Sequence, residues 1–125
     1  MFAFSGFGAR AAQGQPRPIA AADAIARAAA GELTVIDVRD ISEVAQSGKA
    51  KGALHIPLMM LRFQADPSNP DFHPELDPQR PVALYCASGG RSQAAGQQLI
   101  QLGFKEVYNI GGLGHWVAAG GETER

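Results

Sequence analysis

Cysteine is nearly absent: the 125 residues contain one, Cys86. A single thiol forms no internal disulfide, so the fold stands on packing alone and no redox compartment is implied. The same count excludes a thioredoxin-type dithiol and a cysteine-rich zinc site, and no metal is expected. Charge of one sign is also lacking. With a net charge of −1 and no basic run, nothing in the chain fits nucleic acid or an anionic membrane surface. No apolar stretch approaches the ~20 residues that cross a bilayer. Met1 to Gln15 has neither the positive start nor the continuous apolar run of a secretory signal, so a cytoplasmic location is the default expectation. What is present describes an ordinary globular protein, 46% hydrophobic and 18% charged. One domain of this length buries roughly two-thirds of the surface its unfolded chain exposes, enough for a core without staples.

The chain divides into a flexible leader over residues 1–15, one domain over 16–120 and a tail over 121–125. Phe2, Phe4 and Phe7 in the leader, spaced by small residues, suit either a loosely docked segment or a contact with another subunit. Alanine-rich Ala20 to Ala30 reads as a helix stopped by Gly31. Leu33 to Val38 is a β-branched run that suits a buried strand of a parallel sheet. A short helix over Ser42 to Gln46, capped by Ser42, precedes a strand over Ala53 to Ile56. A short amphipathic helix follows at Leu58 to Gln64. Asp66 to Pro81 holds five prolines and no period, the mark of a surface loop. Val82 to Tyr85 is the next buried strand, Arg91 to Leu102 a helix and Glu106 to Ile110 a last strand, with a short helix around Trp116. Strands alternating with helices predict an α/β domain with a mostly parallel sheet.

Chemistry concentrates where the strand Val82 to Tyr85 meets the next helix. There the chain reads Cys86-Ala87-Ser88-Gly89-Gly90-Arg91-Ser92. Ligands of open α/β sheets sit outside the carboxyl ends of the strands, which is where Cys86 falls. Small residues and two glycines let successive backbone N–H groups curl around one point beside a helix N-terminus. That field favours thiolate over thiol. Arg91 adds a fixed charge and a bidentate donor for an oxyanion. The bland alternative, a buried thiol acting as a small hydrophobe, does not account for the glycine-arginine run directly after a strand.

This loop resembles the active-site loop of the rhodanese (thiosulfate sulfurtransferase) family, in which a cysteine, four small or polar residues, an arginine and a serine join strand to helix. Three further stretches agree in order. Asp37-Val38-Arg39 is similar to the family's strand-ending Asp-Val-Arg. Gly48 to Pro57 is similar to its glycine turn and following strand. Gly111-Gly112 with Trp116 is similar to its closing glycine pair and tryptophan. The likeness covers roughly residues 18–119. It implies a rhodanese-like three-layer domain, a sheet of about five strands flanked by helices. It also implies a sulfurtransferase in which Cys86 takes the outer sulfur of thiosulfate or a persulfide donor, becomes a persulfide, and passes the sulfur to cyanide, a thiol or a protein acceptor. The amides of Ala87, Ser88, Gly89, Gly90 and Arg91, with Ser92, would hold the charge, and no cofactor is needed.

Two departures stand out. Where family members often carry His-Ile-Pro after the first glycine, this chain has Lys49-Ala50-Lys51, either guiding anionic donors or solvated on a turn. The proline-rich loop could edge the entrance, with His73 as surface decoration. Rival readings also remain. Cysteine phosphatases and arsenate reductases that resemble this loop enclose five residues between cysteine and arginine, whereas Cys86 and Arg91 enclose four. A non-catalytic module of the fold usually lacks the cysteine. A cysteine hydrolase needs a histidine base; His55 and His115 lie near strand ends but have no partner visible in the sequence. Asp37, at the end of a buried strand, must find partners, and pairing with Arg39 or loop amides would brace the active-site edge.

Overall fold

The computed structural model describes residues 14–125. The leader expected over 1–15 lies outside the described residues except for its last two positions. Gln15 is held: its Oε1 accepts from the side-chain amides of Gln93 and Gln97.

A five-stranded parallel sheet forms the centre, in the order β1-β6-β5-β2-β4. These strands are β1 (Arg17–Pro18), β2 (Thr34–Asp37), β4 (Leu54–His55), β5 (Val82–Cys86) and β6 (Val107–Gly112). The helices are α1 (Ala21–Ala29), α2 (Ile41–Ser47), α3 (Leu61–Gln64), α4 (Gly90–Gln101) and α5 (Leu113–Ala118), with a 3-10 turn at Leu58–Met60. The expected α/β class and flanked parallel sheet are therefore what the chain forms.

The layers follow from the period of two in a strand. Along β5, Val82, Leu84 and Cys86 enter the core beneath α3 and α4, beside Leu61, Ala95 and Leu99. Ala83 and Tyr85 enter the opposite core, with Ala24, Val35 and Trp116 under α1 and α5. Both faces are buried, which is why β5 reads as an unbroken apolar run. Each fully buried Leu or Ile side chain contributes about 1.5–3 kcal/mol. Gly96, in mid-helix, is a packing device. A Cβ there would come within 2.6 Å of Pro16, so the missing side chain lets the chain leading into β1 lie against α4.

Three features differ from the sequence expectation. First, α2 starts at Ile41 rather than Ser42, and Asp40 caps it, with the Asp40 N–H donating to the Glu43 carboxylate at 3.0 Å. Second, the tail is structured. Residues Thr123–Glu124 form β7, antiparallel to β3 (Lys49–Ala50). Lys49 and Lys51 pair there with Glu124 and Glu122 at 2.5 and 3.2 Å. Lys51 borders a cavity shared with Leu33 and Thr34, at the amino ends of the strands. Lys51 is thus at the end of the sheet opposite Cys86. Third, the proline-rich loop does not edge the Cys86 end over its second half. Its Pro81 and Pro78 carbonyls accept from the N–H groups of Thr34, at the start of β2, and Lys105, just before β6. Leu76 and Phe72 anchor it in the core under α4. Among the described residues no helix is long and apolar enough to cross a membrane.

Candidate active site

All five parallel strands point their carboxyl ends one way, and β5 ends there at Cys86. Residues 87–89 then turn the chain into α4. Gly89 makes the turn at φ +112°, a conformation costly for any side chain. Its N–H consequently points back and donates to Cys86 Sγ at 3.0 Å. The loop can lie this low because of the glycine pair beside it. A Cβ on Gly112 would come within 2.2 Å of the Ala87 carbonyl oxygen, and one on Gly89 would touch Gly111 at 3.5 Å. The backbone irregularity between Leu84 and Tyr85 shifts the pairing so that Cys86 lies opposite Gly112.

Cys86 is only 1% exposed, so a reacting sulfur must enter the loop to meet it. Burial pushes the thiol up. The Ser92 hydroxyl and the backbone N–H groups of Ser92, Gly89 and Ser88 outweigh that effect, and the thiol ends below its ordinary value. Ser92 is fully buried, its Oγ 3.4 Å from the sulfur.

The residue the sequence reading missed is Asn109, in β6. Its Oδ1 lies 2.7 Å from Ser92 Oγ and accepts the Gly111 N–H at 2.9 Å. Its Nδ2 donates to the Gly89 carbonyl and to Gln93 Oε1 at 3.1 and 3.0 Å. All four hydrogen-bonding positions of the carboxamide are used, which also sets which end is oxygen. Asn109 therefore clips both the loop and the α4 start to the sheet. An asparagine two residues before a glycine pair was the only sequence signal for it.

Arg91 differs from expectation. Its two terminal nitrogens donate to the two carboxylate oxygens of Glu43, at 2.6 and 2.9 Å. The guanidinium is thus not left as an open oxyanion donor. A carboxylate on α2 lies within reach, and the bidentate geometry suits both groups. Arg91 holds the Glu43 carboxyl down at about 2, against the opposing effect of burial and with help from the Asp40 N–H.

Asp37 and Arg39 do meet. Both are buried, and Arg39 reaches the Asp37 carboxylate through Nε at 3.1 Å and through a terminal nitrogen at 2.8 Å. The Tyr85 hydroxyl donates to the same carboxylate at 2.5 Å and accepts the Ala50 N–H at 2.8 Å. Arg39 continues to Ser47 Oγ and the Gly48 carbonyl. This network ties the end of α2 and β3 to the sheet and makes no hydrogen bond to the Cys86 thiol.

The histidines are engaged by backbone. His55 Nε2 lies 2.7 Å from the Arg39 carbonyl, so it donates. His115 Nδ1 accepts the Gly112 N–H at 3.0 Å. His73 Nδ1 accepts the N–H of Glu75. None is hydrogen-bonded to the thiol. Among the described residues, no cluster of three histidine, cysteine or acidic side chains is placed to hold a metal ion.

Comparison with known proteins completes the description. The profile of the rhodanese-like domain matches residues 20–119. The chain is 34% identical over 88 residues to thiosulfate sulfurtransferase GlpE of Coxiella burnetii, covering 70% of this chain and 74% of that one. It is 31% identical over 90 residues to a sulfurtransferase of Allochromatium vinosum, covering 71% and 76%. Among solved structures, a Rhodopseudomonas palustris protein of unknown function, noted as a possible tyrosine phosphatase, superposes with a TM-score of 0.77. The two are 35% identical over 87% of this chain and 85% of that one.

Proposed function

The chain belongs to the rhodanese-like domain family, and on that premise we propose that it transfers sulfane sulfur through a persulfide on Cys86. Its relatives make it a transferase of sulfurtransferase type. The finer reading rests on one observation, the Gly89 N–H and the Ser92 hydroxyl converging on Cys86 Sγ in a loop that encloses four residues before Arg91.

In this reading the Cys86 thiolate attacks the outer sulfur of thiosulfate. The S–S bond of the donor breaks, sulfite leaves with the bonding pair, and Cys86 carries S–S⁻. Cyanide or a thiol then takes the outer sulfur and the thiolate is restored. Charge balances at each step, and no redox co-reactant is involved. The amides of Ala87 to Gly90, at the start of α4, stabilise the persulfide anion. An acceptor thiol comes from another molecule, small or protein, since the chain has no second cysteine of its own. The reaction requires no metal or cofactor, and we place it in the cytoplasm.

A phosphatase is the second reading, favoured by the description of the Rhodopseudomonas palustris neighbour. Against it stand the shorter loop and the engagement of Arg91 by Glu43. One measurement separates the two. Protein treated with thiosulfate should gain the mass of one sulfur atom, which a reductant removes and Cys86→Ser prevents. No adduct, together with phosphate release from an aryl phosphate, would establish the phosphatase instead.

A further inference from the structure

The Ser92 hydroxyl is fully buried and has a single proton to give. Its oxygen lies 2.7 Å from Asn109 Oδ1, 3.1 Å from the Gly89 carbonyl, 3.5 Å from the Gly111 carbonyl and 3.4 Å from Cys86 Sγ. The three oxygens can only accept, because the Asn109 carboxamide cannot be turned over. Its oxygen faces the Gly111 N–H and its nitrogen faces the Gly89 carbonyl, two backbone groups whose roles are fixed. Asn109 Oδ1, at the shortest distance, therefore takes the proton. Of the four neighbours only the sulfur can donate, and while Cys86 is a thiol its S–H donates to Ser92. Ionisation reverses that bond. The sulfur then has no proton left, and a Ser92 lone pair facing it would repel the charge.

We infer that Asn109 is a positioning residue that holds the single proton of the Ser92 hydroxyl and yields it to the Cys86 sulfur when that sulfur becomes charged. Asn109 and the thiolate thus compete for one proton. The thiolate gains less from Ser92 than an uncommitted hydroxyl would give, and it stays the stronger nucleophile for that reason. The consequence for turnover rests on the sulfurtransferase reading, in which the proton moves twice per cycle. Once Cys86 carries the outer sulfur, the negative charge is on that outer atom and the proton returns to Asn109. When the acceptor takes the outer sulfur, the bonding pair falls back on Sγ and Ser92 donates to it again. The charged groups on the surrounding elements are committed elsewhere. Arg91 on α4 acts on the sulfur through its charge and is held by Glu43, near Asp40, on α2. Asp37, Arg39 and Tyr85 are bonded to one another, His55 to the Arg39 carbonyl and His115 to the Gly112 N–H. Among the described residues none of these side chains is hydrogen-bonded to the Ser92 hydroxyl.

The test is the pH–rate profile for alkylation of Cys86 by iodoacetamide in the wild type, Asn109→Leu, Ser92→Ala and the double variant. An aliphatic side chain accepts no proton, so in Asn109→Leu the hydroxyl serves the sulfur alone and the midpoint should move to lower pH. On a Ser92→Ala background, which itself raises the midpoint, Asn109→Leu should produce no fall, because there is no hydroxyl proton to release. A residue that only braced the loop would behave differently. Its loss would let the Gly89 N–H drift from the sulfur, and the midpoint would rise. An unchanged or raised midpoint in Asn109→Leu overturns the inference, as does a fall that persists on the Ser92→Ala background. A second measurement needs no folded Asn109 variant. The Asn109 carboxamide carbon, followed by NMR, should shift with the Cys86 midpoint in the wild type and much less in Ser92→Ala. A signal that stays still in the wild type, or that moves equally in both proteins, overturns the inference as well. If thiosulfate leaves no sulfur on Cys86, the sulfurtransferase reading fails by itself, since neither measurement uses a sulfur donor.

Discussion

Glu43 and Arg91 join the first turns of α2 and α4 through two parallel hydrogen bonds, at 2.6 and 2.9 Å. The pair thus connects the helix after β2 to the helix after β5, the strand that ends at Cys86.

That pairing gives a pH signature. The Glu43 carboxyl is lowered from 4.5 to about 2 in the fold, so its stabilisation is complete above 4.5 and disappears as pH falls through about 2. The pair is partly solvent-exposed, which limits its value to about 1 kcal/mol. Urea unfolding at pH 7 should show Glu43→Gln less stable by about that amount, with the gap closing between pH 4.5 and 2. A gap independent of pH would mean that the charge is not what stabilises.

Removing the Ser92 hydroxyl takes away the polar group 3.4 Å from the thiol and leaves the amides. In Ser92→Ala the midpoint of the pH–rate profile for alkylation of Cys86 by iodoacetamide should rise, with slower sulfur transfer at neutral pH. An unchanged midpoint would assign the lowered thiol to the backbone N–H groups alone.

Gly112→Ala puts a methyl group 2.2 Å from the Ala87 carbonyl oxygen, which is backbone and cannot swing aside. The loop must shift, and a misplacement of order 1 Å should reduce sulfur transfer about a hundredfold. Gly114→Ala is the control, since a Cβ there meets nothing within 4 Å. If both variants retain full activity, the low position of the loop is unimportant to the chemistry.

The buried Asp37–Arg39–Tyr85 group should matter to stability more than to chemistry. Asp37→Asn leaves the Arg39 charge uncompensated and should cost about 3–5 kcal/mol. Tyr85→Phe removes the donor to Asp37 and the acceptor of the Ala50 N–H, for about 1–3 kcal/mol. Denaturant melts with a parallel assay of the folded fraction check both. Loss of activity without loss of stability would give Asp37 a part in the reaction.

Much of this protein was legible along the chain, because the relevant physics is local. An apolar run buried on both faces announced β5, and Gly89 and Gly90 after it announced a turn whose amides face inward. Cys86 at that junction, with Arg91 and Ser92 one helical turn on, located the site. The alternating segments gave the α/β class for the same reason, since helix and strand periods are properties of a few neighbouring residues. Other relationships depend on which elements the sheet order brings side by side. Arg91 finds Glu43 and Ser92 finds Asn109 only because β6 and β2 flank β5. Two-residue strands such as β3 and β7 carry no period at all, and their pairing is visible only once residues 49–50 and 123–124 are neighbours. The sequence by itself determined where the thiol and its loop would be. Tertiary structure decided what surrounds them, because the charge partner of Arg91 and the acceptor beside Ser92 lie on other segments of the chain, and only packing selects them.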